Sequence, residues 1–181
     1  TTSKGRWDGS RAVVRSGEAP LGNLISSILR QHTKADVFVK SGGLIRTSLP
    51  MGEITYRHIF EVNPFGLRLV KVKLTGRQLL TYLKTLAEFT PGAGAFPHIA
   101  GVKMRWAALA KKLSDVFVEK DGTWKPLDPN ASYVLATNEF HARNGRYMMI
   151  QGMPSYEVLD TLEIDALVGF LQRQEFIDPR A

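Results

Sequence analysis

The run DVFVKSGGLIR, from Asp36 to Arg46, decides the fold, because a strand-like stretch ends there in a pair of glycines followed by an arginine. Residues 36–40, DVFVK, are predicted to form a short strand with an apolar centre. Gly42 and Gly43 allow positive φ angles and a close approach of the backbone to a ligand. Arg46 can direct a planar fork of donors at a phosphate or carboxylate, and ligands often lie outside the carboxyl end of a strand. The stretch predicts an anion site, with an ordinary loop and a solvated arginine as the alternative.

Helix and strand patterns occur on both sides of this run and predict an α+β domain with a mixed β-sheet flanked by helices. Apolar residues recur at helical spacing from Pro20 to His32. Thr75 and Gln78 form a predicted capping box for a second helix, which runs to about Phe89. The remaining predictions are helices at 55–60 and 164–174, strands at 67–74, 101–107, 113–119, near 124 and at 132–137, and a loop at 90–97.

The composition is that of a basic globular chain, best interpreted as one domain. It has 181 residues, a net charge of +7 and no cysteine, so disulfides and thiolate metal ligands are excluded. No apolar run approaches the roughly 20 residues of a membrane span, and no signal-peptide pattern opens the chain. The charge favours anionic partners. The basic residues are scattered instead of forming a stripe, which argues against nucleic acid as the partner.

Two further arginines and two phenylalanines are candidate ligand-binding residues. Arg11 and Arg15 are four residues apart, so they share one face whether the segment is extended or helical. Two like charges held together favour an anion between them, and two solvated arginines are the alternative. Phe65 is presented on the constrained NPFG loop, where its ring either packs in the core or stacks on a flat ligand. Phe140 likewise follows the end of a predicted strand.

The usual signatures of catalysis are absent from the sequence. No GxSxG, P-loop or GxGxxG pattern occurs, and the 17 carboxylates form no evident catalytic pair. The histidines are isolated from one another and from acidic residues at metal-ligand spacing, and each is expected at the surface or packed on a helix. We therefore expect no catalytic residue and no metal ligand in this chain. The four histidines are His32, His58, His98 and His141.

Six motifs follow one another along the chain: RAVVRSGEAPLGNL, ADVFVKSGGLIR, GEITY, NPFG, LTGRQL and ATNEF. Their order and spacing resemble the carboxyl-terminal domain of the 5'-nucleotidase family, most closely the bacterial periplasmic UDP-sugar hydrolases/5'-nucleotidases. The resemblance runs from about Gly5 to Phe176.

This resemblance implies a domain organisation and a substrate. Residues 1–10 would be a linker or hinge lead-in, and residues 11–181 would be the nucleotide-binding domain. An upstream metallophosphoesterase domain, absent here, would hold two divalent metal ions and the catalytic residues. The substrate would be a nucleotide or nucleotide-sugar, and the location periplasmic or cell-surface. The chain alone would then be inactive.

The resemblance also implies roles for individual residues. Arg11, Arg15 and Arg46 match arginines that hold the phosphate and its surroundings. Phe65 and Phe140 match the two rings between which the base is stacked. Three guanidinium groups suit phosphate, and two rings supply stacking without base selectivity.

Three more positions complete the predicted site. Gly94 matches a loop position where the backbone approaches the base. Leu67 replaces a family asparagine that can hydrogen-bond a base edge. Arg146 stands in a segment that lacks the family aspartate for the ribose hydroxyls, and it suggests a substrate with an additional acidic group. Leu67 and Arg146 are therefore candidate positions for altered specificity.

Two other functions fit the same sequence. A non-catalytic anion- or nucleic-acid-binding module would account for the net charge of +7. A degenerate family member with a structural or adhesion role would account for the altered positions.

Overall fold

A computed structural model of the chain describes residues 1–144 and 154–180. Arg146 lies outside the described residues. The helices are α1 (Arg11–Val14), α2 (Pro20–Thr33), α3 (Tyr56–Val62), α4 (Gly76–Ala87), α5 (Glu139–Arg143) and α6 (Glu163–Leu171). The strands are β1 (Thr2–Ser3), β2 (Val37–Ser41), β3 (Gly52–Glu53), β4 (Arg68–Thr75), β5 (Pro97–Ala100), β6 (Val102–Ala107), β7 (Lys112–Lys120), β8 (Thr123–Pro126), β9 (Ser132–Asn138), β10 (Tyr156–Leu162) and β11 (Phe176–Ile177).

A five-stranded mixed sheet in the order β10-β4-β9-β2-β5 organises the domain. Strand β2 runs parallel to β9, with Val37 opposite Leu135. The other neighbours in this sheet are antiparallel. Two three-stranded sheets, β11-β1-β3 and β6-β7-β8, complete the fold. The predicted α+β class with a mixed sheet is confirmed.

Helices cover both faces of the central sheet, as the alternation along β2 shows. Phe38 packs in one apolar cluster with residues of α2 and α6, whereas Val37 and Val39 pack in another with residues of α4. Successive side chains of a strand point to opposite faces. Lys40 therefore falls on the α6 side with Phe38.

The predicted helices are present, with shifted ends. The capping residues predicted for the second helix make the expected hydrogen bonds. Thr75 accepts a hydrogen bond from the N–H of Gln78 (3.3 Å), and Gln78 accepts one from the N–H of Thr75 (2.9 Å), so the capping box at α4 is confirmed. The segment with Arg11 and Arg15 was predicted to be either extended or helical, and the structure shows a helix from Arg11 to Val14. No helix in residues 1–144 or 154–180 has the length and apolar character needed to cross a bilayer.

The segment predicted as a lead-in packs against the domain. Strand β1 pairs with both β11 and β3. Trp7 is buried and exchanges backbone hydrogen bonds with Leu49 at 3.0 and 3.1 Å. The segment is therefore attached at two points, and its role as a hinge stays a prediction.

Candidate functional site

A cleft of about 410 Å³ opens at the carboxyl end of β2. We call it the β2 cleft. Residues far apart in sequence meet there, because β2, the end of α1, the loop after α3, the loop before β5 and α5 all reach this end of the sheet. Among the described residues its lining consists of Arg15, Ser41, Gly43, Leu44, Arg46, Phe65, Leu67, Gly94 and Phe140.

The paired glycines bring three backbone segments into close contact. A Cβ on Gly42 would lie 1.8 Å from the carbonyl oxygen of Val14, and one on Gly43 would lie 2.7 Å from that of Gly94. The N–H groups of Gly42 and Gly43 donate to Phe96 and Gly94, both at 2.8 Å. Neither glycine has a positive φ, so that expectation is wrong. The required close approach is between protein backbones.

Two of the three predicted arginines line the cleft. Arg46 donates from Nη1 to the carbonyl of Gly43 at 3.0 Å, and its Cζ lies 5.8 Å from the centroid of the Phe65 ring. Arg15 comes from the end of α1. Arg11 is exposed at the start of the same helix and is not among the described lining residues. The described lining contains no carboxylate, which leaves a net positive charge for an anion.

Both predicted rings border the same cleft. Phe65 is 42% exposed and Phe140 is 38% exposed, so the core alternative for Phe65 is wrong. Phenylalanine is usually buried. Two half-exposed rings beside two arginines supply flat apolar surfaces for a ligand that also carries negative charge.

A buried hydrogen-bond chain holds α5 against β2. His141 Nε2 lies 2.5 Å from Ser41 Oγ, and Nδ1 lies 2.9 Å from Thr137 Oγ1. Thr137 donates its only proton to the carbonyl of Val39, so Nδ1–H donates to Thr137 and Nε2 accepts from Ser41. Burial, with the positive charge of Lys40, lowers the pKa of His141 to about 3. Of the surface and helix-packing roles expected for this histidine, burial excludes the surface role.

His98 connects the sheet to α1. Its Nε2–H donates to the carbonyl of Val14 at 2.8 Å, which fixes the turn that leads to Arg15. A Cβ on Gly22 would lie 2.2 Å from His98 Nδ1, so α2 packs directly on this ring. Burial lowers the pKa of His98. The helix-packing role predicted for it is confirmed.

Sequence reasoning missed the buried polar groups behind the cleft. Lys40 and Glu163 have no exposed side-chain surface and form an ion pair. Asn63 and Asn138 are buried with them. One signal was available in the sequence: both asparagines stand in an Asn-x-Phe tripeptide, NPF and NEF.

A second, larger cavity of about 950 Å³ lies between the end of α4 and strands β5 and β6. We call it the α4 groove. Its lining includes Phe89, Met104 and Trp106, with Lys103 and Lys111. None of the predicted site residues that the structure describes lines it. The part of the chain that the structure describes holds no cluster of three or more histidine or acidic residues suited to a metal ion.

A mixed-sheet α+β domain whose cleft combines two arginines with two exposed rings defines a candidate anion-binding domain. Residues 1–152 match the family model for the 5'-nucleotidase C-terminal domain. The chain belongs to this family, and the resemblance inferred from its motifs is confirmed.

Relatives of known name extend over nearly all of the chain. Protein UshA of Escherichia coli K12 is 32% identical over 97% of the chain, and the 5'-nucleotidase of Vibrio vulnificus is 31% identical over 97%. The chain spans 31% of the length of each. The crystal structure of a 5'-nucleotidase precursor from Thermus thermophilus has a TM-score of 0.84 and 27% identity, over 98% of this chain and 37% of that one.

Proposed function

We propose that this chain is the substrate-binding domain of a metal-dependent 5'-nucleotidase or UDP-sugar hydrolase. The single observation that carries the proposal is the composition of the β2 cleft. Two arginines, two half-exposed phenyl rings and the Gly94 backbone line one cavity of about 410 Å³. That volume lies within the range of small-molecule sites, roughly 300 to 1,000 Å³.

The two halves of a nucleotide have different requirements, and the cleft meets both. Guanidinium groups bind phosphate through charge-assisted, often bidentate hydrogen bonds. Arg15 and Arg46 supply these groups, and Arg11 lies on the same short helix as the residues leading to Arg15. Phe65 and Phe140 would stack on the base, which is worth roughly 1 to 3 kcal/mol per base and tolerates any base.

Hydrolysis would take place at a separate metallophosphoesterase domain that holds two divalent metal ions. Two observations support this division. The chain spans only 31% of the length of UshA of E. coli, and its described residues offer no metal-binding cluster. By similarity to such relatives we also propose a periplasmic or cell-surface location.

Calorimetric titration of the full-length protein with AMP and with a UDP-sugar tests the proposal. We expect micromolar to millimolar dissociation constants that rise strongly in Arg46→Ala. The 181-residue chain alone should not hydrolyse these ligands when Mn²⁺, Co²⁺ or Zn²⁺ is added. Failure of the full-length protein to bind any of these nucleotides would contradict the proposed function.

The net charge of +7 is the observation behind a second candidate, a non-catalytic module that binds anions or nucleic acid, although the basic residues are scattered. Such a module would bind longer oligonucleotides more tightly and would lose affinity steeply with salt. A length-independent affinity for oligonucleotides, weaker than for AMP, would exclude it.

Arg146 and Leu67 remain proposed positions of altered specificity. We propose that Arg146 favours a substrate with an additional acidic group. Comparing the affinities for AMP and for its 3'-phosphorylated analogue tests this role, and equal affinities would argue against it.

A further inference from the structure

A cluster of four polar side chains is buried behind the β2 cleft: Lys40, Asn63, Asn138 and Glu163, which we call the Glu163 cluster. Lys40 Nζ lies 2.5 Å from Glu163 Oε2 and 3.0 Å from Asn63 Oδ1. Both charged side chains are fully buried. Removing two charges from water costs several kcal/mol per ion, so such a pair contributes little net stability compared with an apolar pair. Its presence calls for another explanation.

Glu163 is the shared acceptor of this cluster. Its Oε2 accepts from Lys40 and from Asn63 Nδ2 at 3.1 Å, and its Oε1 accepts from Asn138 Nδ2 at 3.0 Å. Its backbone N–H donates to the carbonyl of Leu67 at 2.9 Å. Both carboxylate oxygens are therefore used as acceptors, and three donors converge on them.

Each asparagine of the cluster lies two residues before one of the exposed rings. Asn63 is the C-cap of α3 and is followed by Pro64, whose ring restricts the backbone on the way to Phe65. Asn138 precedes α5, and its Oδ1 accepts from the N–H of His141 at 3.0 Å, which fixes the first turn. The path from Glu163 to either ring is thus one side-chain hydrogen bond and two residues of backbone.

We infer that Glu163 is a positioning residue that sets the separation and orientation of the Phe65 and Phe140 rings for stacking on a base; this rests on the proposed function. A single carboxylate on α6 connects the loop that carries Phe65 with helix α5, which carries Phe140. Stacking requires both rings at van der Waals distance from the base. A displacement of the Phe65 loop or of α5 would change the distance between the rings.

Glu163→Gln is the sharpest variant because it keeps the size of the side chain. Its amide nitrogen is a donor and cannot accept a hydrogen bond. In the Oε1 position it would face Asn138 Nδ2, and one of the three hydrogen bonds would be lost. In the Oε2 position it would face both Lys40 Nζ and Asn63 Nδ2, and two would be lost. We expect the dissociation constant for AMP to rise about tenfold or more in the full-length protein, the order of one lost stacking contact. Ribose 5-phosphate has no base, so its affinity should change less than about twofold.

Two further variants separate positioning from general destabilisation. Asn63→Ala leaves the ion pair in place and releases only the Phe65 loop, and it should also weaken AMP selectively. It decides the question if Glu163→Gln does not fold. Leu83→Ala removes a buried side chain of α4 on the opposite face of the sheet. It destabilises the domain without touching the Glu163 cluster, and its affinity for AMP should match the wild type.

The outcomes are distinct for the two levels of the proposal. If the wild-type protein binds neither AMP nor a UDP-sugar, the proposed function fails. If the wild type binds AMP but the folded variants bind it as tightly, Glu163 has no positioning role. The inference is equally overturned if AMP and ribose 5-phosphate weaken to the same extent, or if Leu83→Ala shows the same selective loss.

Discussion

The β2 cleft and the α4 groove differ in the chemistry of their walls, and the difference does not follow from their sizes. The α4 groove has a volume of about 950 Å³ and the β2 cleft about 410 Å³. Cationic, aromatic and backbone groups from five parts of the chain meet in the smaller one. The groove combines Phe89, Met104 and Trp106 with two lysines on the β6–β7 side. A functional site is better recognised by convergent polar groups than by volume.

The two cavities also differ in what lies behind their walls. Behind the β2 cleft, the hydrogen bonds of Glu163 and His141 hold the wall residues in place. Behind the α4 groove lies the apolar cluster that includes Leu83 and Val118. Hydrogen bonds have directional geometry, whereas apolar contacts allow more adjustment. The smaller cavity is therefore the one built to hold a fixed arrangement.

The largest expected effect comes from removing two positive charges from the β2 cleft. The double variant Arg15→Ala/Arg46→Ala should weaken AMP binding at least about 100-fold, or about 3 kcal/mol, because hydrogen bonds to a charged phosphate are lost. Calorimetry of the full-length protein measures this directly.

Lys103→Ala/Lys111→Ala is the matched control for charge. It also removes two positive charges, but from the α4 groove. We expect the affinity for AMP to change by less than about twofold at physiological salt, where distant charges are screened. Equal losses in the two double variants would show that net charge alone attracts the ligand, and the contrast between the cavities would disappear.

A smaller effect is expected on the pH dependence of stability, to which His141 beside the β2 cleft and His98 beside the α4 groove should contribute unequally. The folded pKa of His141 is about 3, below its usual value of about 6.5. The unfolded chain therefore binds a proton below pH 6.5 that the folded chain does not, and stability falls as the pH falls through this window. The expected loss is about 2 kcal/mol between pH 6.5 and pH 5. Well above pH 6.5, where the unfolded histidine is also neutral, this contribution is constant.

Urea unfolding at several pH values measures this loss. In His141→Gln the free energy of unfolding should change much less between pH 6.5 and pH 5. His32 is exposed on α2, so His32→Gln should show the same pH dependence as the wild type. His98 lines the α4 groove and its pKa is also lowered by burial, but the Val14 carbonyl and Glu18 oppose the shift. His98→Gln should act in the same direction with a smaller amplitude. A pH dependence identical in wild type and His141→Gln would contradict the neutral, buried histidine.

Replacing one ring tests whether stacking belongs to the β2 cleft alone. Phe65→Leu and Phe140→Leu keep an apolar side chain but lose the flat surface, so AMP affinity should fall about fivefold, or about 1 kcal/mol each. Trp106→Leu makes a comparable change in the α4 groove and should have no effect. A loss of affinity in Trp106→Leu would place the base in the groove.

The sequence was sufficient to predict the exposed half of the site. Arginines and rings beside turns and strand ends have local signals, and Arg15, Arg46, Phe65 and Phe140 line the β2 cleft. Gly94, which only the family resemblance implied, lines it as well, whereas Arg11 is not among the described lining residues. The main helices and the mixed sheet also followed from periodicity and capping residues. Apart from Gly94, each of these predictions uses neighbours in sequence.

The buried half of the site was not predictable in the same way. Lys40 ends an apolar strand and Glu163 begins a helix, and 123 residues separate them. Only the tertiary structure brings their charges together. The role of Gly42 was also missed, because its need for space comes from the Val14 carbonyl of another element. Pairings across elements depend on packing, which local patterns do not encode.

The smallest expected effect concerns Leu67, which lines the β2 cleft and which we propose to stand in place of an asparagine of the family. Leu67→Asn should restore one neutral hydrogen bond to a base edge, worth about 0.5 to 1 kcal/mol, and tighten AMP binding about two- to fivefold. Ribose 5-phosphate should show no gain, because it lacks a base. Leu67→Ala controls for lost apolar contact, and Met104→Asn makes a similar apolar-to-amide change in the α4 groove. If Leu67→Asn weakens AMP as much as Leu67→Ala does, position 67 does not face the base edge, and the difference between this chain and the family pattern at that position has no bearing on base recognition.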